Sequence, residues 1–318
     1  MSIAQKTETE TVAPATIKAE RMPFGRWFRL VGWRHIVAIV FVLWAIFPAF
    51  YLISLAFSGG NTLTGACPPD RQGLAALSCL LPSKFSLDNF TEILTNDQWP
   101  FVTWFSNTLI IATLNSFMAL LMGAAAAFAF SRLRFTGRRT GLLLLMLVQM
   151  FPPVLAITAI YTLLRQILDV YPTFGLGTIW GLMLVYLGGA LGVNTFLMKG
   201  YFDTIPVDID ESARIDGAGH ARIFFGLILR LATPILVVVF FVSFQATFNE
   251  LAIASVVLPD PANTTLAVGL NSLVSNPLIQ QWGLMAAGGL IMAIPLVIVF
   301  LFTQKSLVTG LTAGAVKG

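Results

Sequence analysis

Charge disappears from six long stretches of this chain, at about residues 36–57, 101–131, 140–164, 174–198, 231–249 and 261–304. The last is too long for one membrane crossing. Its first part, PANTTLAVGLNSLVSNPLIQQWG, is polar and punctuated, which leaves about 283–304. An α-helix rises about 1.5 Å per residue, so about 20 residues cross the hydrocarbon core. The pattern predicts an all-α integral membrane protein with six transmembrane helices. Between the fourth and fifth, the sequence DESARIDGAGHARIFF (210–225) breaks the pattern. It places Asp210, Glu211, Arg214, Asp216, His220 and Arg222 within a short span.

Local signals turn that segment into a short helix over about 209–216. Pro206 biases Ile205 away from helix. Asp208 suits an N-cap, with Glu211 three residues later as in a capping box. Asp210 and Glu211 in the first turn favour the positive end of the helix dipole, and Arg214 is spaced to pair with either. Gly217 can take a left-handed stop conformation. A second helical stretch is expected from Gly219 through RIFFGLILRLATP into the fifth crossing. A well-capped surface loop accounts for Asp208 and Glu211. It accounts less well for the small residues Ser212, Ala213, Gly217, Ala218 and Gly219, which let another backbone approach. A short helix of this kind suits a groove on another protein.

Composition agrees with a membrane setting. The chain is 57% hydrophobic and 11% charged, against about 25% charged for soluble domains. Sixteen of its nineteen Lys and Arg fall in residues 1–34, the 132–139 loop, the 199–230 loop and the tail, leaving Arg71, Lys84 and Arg165 opposite. The positive-inside rule puts both termini and the 199–230 loop in the cytoplasm. The net charge of +4 therefore reads as topology and not as nucleic-acid binding. Residues 1–25 read as a disordered cytoplasmic arm, and 26–318 as the six-helix domain, with outer loops 58–100 and 257–283. The first apolar run is long enough to stay as a crossing instead of a cleaved signal peptide. Cys67 and Cys79 share the outer loop 58–100 on the oxidising side, where a disulfide is expected; two unpaired thiols is the alternative.

No ionisable residue is expected well inside a crossing, which argues against a self-powered proton pump. No phosphate-loop pattern, metal-ligand spacing or nucleophile elbow occurs, so no catalytic residue, metal site or cofactor is assigned to this chain. Polar uncharged residues do interrupt the crossings: Asn107, Asn115, Gln149, Tyr161, Tyr186, Asn194, Ser243, Gln245 and Asn249. Each can bond between helices or line a path for a hydroxylated solute; Gln149, Tyr161, Asn194, Gln245 and Asn249 are the pathway candidates. GAAAAFAF (123–130) and YLGGALG (186–192) read as close-packing surfaces.

DESARIDGAGHARIFFGLILRLATP resembles the EAA motif of binding-protein-dependent ABC-importer permeases, through Glu211, Ala213, Asp216, Gly217, Ala218, Phe224 and Pro234. Ser212 departs from the usual Ala, and Arg230 stands where Pro is common. FSRLRFTG (130–137), QMFPPVLAITAIYTL (149–163), YLGGALGVNTFLMKGYFDTIP (186–206), TTLAVGL (264–270) and GLTAGAVKG (310–318) are similar to the MalG-type maltose/maltodextrin branch. The resemblance covers about 36–318.

It implies the type I importer permease architecture. Glu211, Ser212, Ala213, Asp216, Gly217 and Ala218 would form a coupling helix on a separate ATPase, which holds the ATP and Mg. The implied partners are a sister permease, two ATPase subunits, an extracytoplasmic solute-binding protein and membrane lipid. In loop 257–283, Asn263, Thr264, Asn271, Asn276 and Gln281 would meet the binding protein, with interfacial anchoring as the alternative for Gln281 and Trp282. The implied solute is maltose, maltodextrin or a related α-glucoside such as trehalose. The implied location is a bacterial or archaeal cytoplasmic membrane. A sodium-driven secondary transporter and a non-transporting scaffold are the competing classes, and both leave the 208–219 segment unexplained.

Overall fold

The computed structural model describes residues 23–60 and 85–312, and the regular secondary structure among these is helical apart from one antiparallel bridge between Ser58 and Phe85. Residues 1–22, Cys67, Cys79 and 313–318 lie outside the described residues. The chain divides into two units, Met1–Phe50 and Tyr51–Gly318. The described part of the first starts with the turns Phe24–Trp27 and Phe28–Gly32, so residues 24 and 25 of the expected disordered arm are helical. It continues into α1 (Trp33–Ala56). Ile39, Phe41, Leu43 and Trp44 of α1 are all exposed. A helix apolar on every face belongs in lipid.

The second unit contains α2 (Asp88–Thr95), α3 (Phe101–Arg132), α4 (Arg138–Gln149), α5 (Ile157–Val170), α6 (Ile179–Phe202), α7 (Asp208–Ile215), α8 (His220–Leu231), α9 (Thr233–Phe248), α10 (Ala252–Val257), α11 (Leu266–Ser275) and α12 (Trp282–Thr312). Among the described residues, five helices are long and apolar enough to cross a membrane: Phe28–Ala56, α3, Pro153–Val170, α6 and Trp282–Ser306. The pair α8 and α9 makes a sixth when taken as one bent crossing.

Two crossings differ from the sequence expectation. The run at 140–164 is not one helix. Pro152 and Pro153 lack amide hydrogens, so α4 stops at Gln149, Pro152 adopts φ −62° and ψ 121°, and a 3₁₀ turn Pro153–Ala156 starts the next helix. The crossing is thereby shifted to Pro153–Val170. It includes Arg165 and Asp169 near its C-terminal end, which the 140–164 reading had left beyond the crossing. Nor does one helix run from Gly219 into the fifth crossing: α8 and α9 meet at a bend of 81°. Pro234 has no N–H for the Arg230 carbonyl four residues back. The Thr233 hydroxyl donates to that carbonyl instead, at 2.8 Å.

Helix α3 is central and packs against α6 and α9, while α9 also packs against α12. Among lipid, helices associate through close packing and interhelical hydrogen bonds instead of through loss of water. The GAAAAFAF run supplies the first. A Cβ on Gly123 would sit 2.6 Å from Met198 Cε and 3.2 Å from Asn194 Cβ, and Ala124 and Ala127 are fully buried. The span asparagines supply the second. Asn115 Nδ2 donates to Thr247 Oγ1 at 2.7 Å, and Asn194 Nδ2 to Ser243 Oγ at 3.0 Å. Bonds of this kind contribute roughly 0.6–2 kcal/mol each in a membrane.

Candidate functional site

Helix α7 lies at the C-terminal end of α3. Its first turn starts earlier than the capping-box reading requires. The carbonyl of Pro206 accepts from Ile209 N–H, and that of Val207 from Asp210 and Glu211 N–H. Val207 is already helical, and no side chain caps the helix. Asp208 is therefore the first helical residue and not the cap, since Val207 has taken the amide that its side chain would have accepted. Three acidic residues, Asp208, Asp210 and Glu211, still occupy the first turn, where the helix dipole favours them.

The helix ends as the glycine predicts. Gly217 has φ +80°, its N–H donates to the Arg214 carbonyl, and Ala218 N–H donates to the Ala213 carbonyl. This is the Schellman arrangement, in which a left-handed residue turns the chain back over the last carbonyls.

The ends fix which face of α7 is free. Ile209, Ala213 and Ala218 pack against an apolar cluster of Phe128, Met198, Phe202, Ile205, Ile223 and Phe224. Asp210 is 1% exposed and pairs with Arg132, whose Nε lies 2.6 Å from Asp210 Oδ2. It does not pair with Arg214, because its side chain points inward while Arg214 is on the exposed side. Glu211, Ser212, Ile215, Asp216 and Gly217 are exposed. Ile215 is 87% exposed, a large apolar side chain beside acidic neighbours. The sequence reading passed over Ile215, although its place between Arg214 and Asp216 at the tip of a polar segment was the available signal. Beside α7, Asp203 accepts from Ser131 Oγ at 2.7 Å and from Lys199 Nζ at 2.5 Å. Burial pushes the Asp203 carboxyl up, but the bonds from Lys199 and Ser131 and the charges of Lys199 and Arg138 outweigh it and hold it below the usual carboxylate range.

A cavity of about 510 Å³ opens between α3, α6 and α9 and the segment around the α4–α5 break. Its polar lining is Asn115, Tyr186, Asn194, Ser243, Thr247 and Glu250; Phe151, Ile160 and Val242 supply apolar surface. The glycines of YLGGALG divide their work. Gly192 is packed against the Gln149 side chain, so a Cβ there has no room. Gly188 and Gly189 have nothing within 4 Å of an added Cβ and line the cavity. Among the pathway candidates, Asn194 lines the cavity. Gln149 instead donates to the Gly189 carbonyl at 2.5 Å, and Asn249 to the Gln245 carbonyl at 2.9 Å. Tyr161, Gln245 and Asn249 are exposed and outside the cavity lining. Glu250 was not among the candidates. Its carboxylate accepts from Tyr186 Oη at 2.7 Å and from the N–H groups of Ile253 and Ala254 at 2.8 and 2.9 Å, which caps α10.

Loop residues 258–281 lie at the N-terminal end of α3. Thr264 is buried, and Asn263 is held by Asn107 Nδ2, which reaches its carbonyl and side-chain oxygens at 3.2 Å each. Asn271 and Asn276 are exposed, bonded to Ser275 and to Leu278 N–H. Gln281 is half-buried, its N–H donating to the Leu273 carbonyl. Leu278, at 90% exposure, and Ile279 form an apolar tip that the sequence reading did not single out.

Membrane-length helices around a polar-lined cavity, with a glycine-stopped helix presented at one end, define a multi-pass membrane protein. Residues 118–311 match the family described as binding-protein-dependent transport system inner membrane component, and the chain belongs to that family. It is 39% identical over 275 residues to the maltodextrin transport system permease protein MdxG of Bacillus subtilis, covering 86% of this chain and 91% of that one. It is also 39% identical over 284 residues to the maltose/maltodextrin transport system permease protein MalG of Vibrio vulnificus, covering 89% and 95%. Its fold matches a crystal structure of a bacterial ABC transporter that imports the polysaccharide alginate, with a TM-score of 0.69, 22% identity, and 88% and 97% coverage.

Proposed function

We propose that this chain is one permease subunit of an ATP-driven importer of maltose, maltodextrins or related α-glucosides, trehalose included, in a bacterial cytoplasmic membrane. The single observation that carries the coupling role is the presentation of α7. Its inner face is fixed by Asp210, Ile209 and Ala213, while Glu211, Ser212 and Ile215 stand free. An exposed apolar residue with charged neighbours fits the cleft of another protein. In this reading α7 sits in a cytoplasmic ATPase subunit that carries ATP and Mg. Glu211 does no chemistry and meets polar groups of that partner. The cavity is this chain's half of the pathway, completed by a sister permease. Its amide and hydroxyl groups suit a hydroxylated solute, and the Glu250 carboxylate in the same lining is engaged by Tyr186 Oη and the Ile253 and Ala254 amides. The names of the two relatives support the sugar class. The tip at Leu278 and Ile279, with Asn271 and Asn276, faces the solute-binding protein.

Co-purification tests the coupling role. Tagged wild-type chain, co-expressed with its transporter genes and extracted in mild detergent, retains an ATPase subunit. Ser212→Trp, at equal chain level, retains less than a tenth as much. Equal retention by Ser212→Trp overturns the docking role. Solute uptake that follows a sodium gradient and survives ATP depletion overturns the importer reading as a whole.

A further inference from the structure

Helix α3 is attached at both ends to the two segments that face partners. At its C-terminal end, Ser131 Oγ donates to Asp203 Oδ1 at 2.7 Å, and Arg132 Nη2 to the Ile205 carbonyl at 2.8 Å. Arg132 Nε stands 2.6 Å from Asp210 Oδ2, a charge contact without hydrogen-bond alignment. The two side chains are 5% and 2% exposed. At its N-terminal end, Trp104 Nε1 donates to the Pro261 carbonyl at 2.7 Å, and Asn107 Nδ2 to the Asn263 and Thr264 carbonyls at 3.2 and 3.1 Å. Thr108 Oγ1 accepts from Leu266 N–H at 2.7 Å. Gly269 is pressed against the Trp104 ring with no room for a Cβ. These anchor points lie near the two ends of α3, one helix of 32 residues without proline, about 48 Å long at 1.5 Å per residue.

A buried ion pair is a weak source of stability, because desolvation offsets the attraction and apolar residues of similar size often do as well. What such a pair does supply is a fixed geometry. Removing one partner leaves an unpaired buried charge, so α7 has one seat on α3.

Resting on the docking role given above, we propose that α3 is a rigid strut joining α7 to the 261–266 segment, and that Arg132 and Asp210 are its positioning residues. A displacement of α7 by the ATPase then moves the loop facing the binding protein along α3, which also contributes Asn115 and Ala119 to the cavity wall. Arg132 and Asp210 touch no solute; they act through the seat of α7.

Hydrogen–deuterium exchange on the complete transporter in nanodiscs tests this. Arg132→Met and Asp210→Asn each speed exchange over 207–218 at least tenfold. The double variant R132M/D210N exchanges more slowly than either single, because no charge is then left buried. Single variants within threefold of wild type, or a double variant whose effect is the product of the two, overturn the positioning pair.

Transmission has its own measurement. A non-hydrolysable ATP analogue changes exchange at 261–270 in wild type, and Asn107→Leu removes at least two thirds of that change while the ATPase stays bound. A wild-type response in Asn107→Leu overturns the strut. Ser212→Trp separates the two ideas. If it keeps its ATPase, the docking role falls; if it loses the ATPase while the pair variants exchange like wild type, the strut alone falls.

Discussion

Gly217 carries the stop of α7 through backbone conformation alone. It has φ +80°, and an added Cβ would meet nothing within 4 Å. A side chain there causes no clash, but it must occupy the left-handed region, which costs an L-residue roughly 1–2 kcal/mol. Gly217→Val should therefore loosen the last turn of α7, raising exchange of the amides at positions 217 and 218 roughly five- to thirtyfold while the chain still folds. Gly217→Asn, which tolerates that region, should lie close to wild type. Equal exchange in the valine and wild-type chains would remove the left-handed stop from the account. Asp210 shows the other kind of residue. Its charge and its place in the first turn were visible in the sequence, but its partner was not. Arg214 is four residues away and Arg132 is seventy-eight, yet the buried side of α7 faces the end of α3.

Proline decides continuity at the scale of the elements. Pro152 and Pro153 end α4, and Pro234 ends α8 with an 81° turn. The hydroxyl of Thr233 satisfies the Arg230 carbonyl that Pro234 strands. Pro234→Ala restores the missing donor and should reduce the bend. Spin labels on α8 and α9, compared by pulsed dipolar spectroscopy, should move apart by several ångströms; an unchanged distance would place the cause of the bend in packing. Apolar runs alone could not locate these breaks, because hydropathy records where a chain can lie in lipid and not whether its carbonyls have donors. For that reason the 140–164 run read as one crossing, while the helix that crosses is Pro153–Val170.

The cavity belongs to the molecule as a whole, since α3, α6 and α9 each contribute to its wall. Gly188 and Gly189 leave it open. Gly189→Leu should fill it without disturbing the helix contacts, leaving chain level and ATPase retention at wild-type values and reducing solute uptake at least tenfold. Full uptake by that variant would place the pathway elsewhere. The sequence by itself determined the membrane class, the number of long apolar runs, the short polar helix between the fourth and fifth, and its glycine stop. Each of these is set by neighbours a few residues apart: a run of apolar side chains, a cluster of acidic residues in a first turn, a residue free to adopt positive φ. The tertiary structure alone decided that Asp210 is bound to Arg132, that Asn107 holds the 263–264 backbone, and that Asn115 and Glu250 stand at the cavity. An amide in a crossing has the same sequence signature whether it bonds a neighbouring helix or faces a space. Its role is fixed only when packing sets what lies opposite.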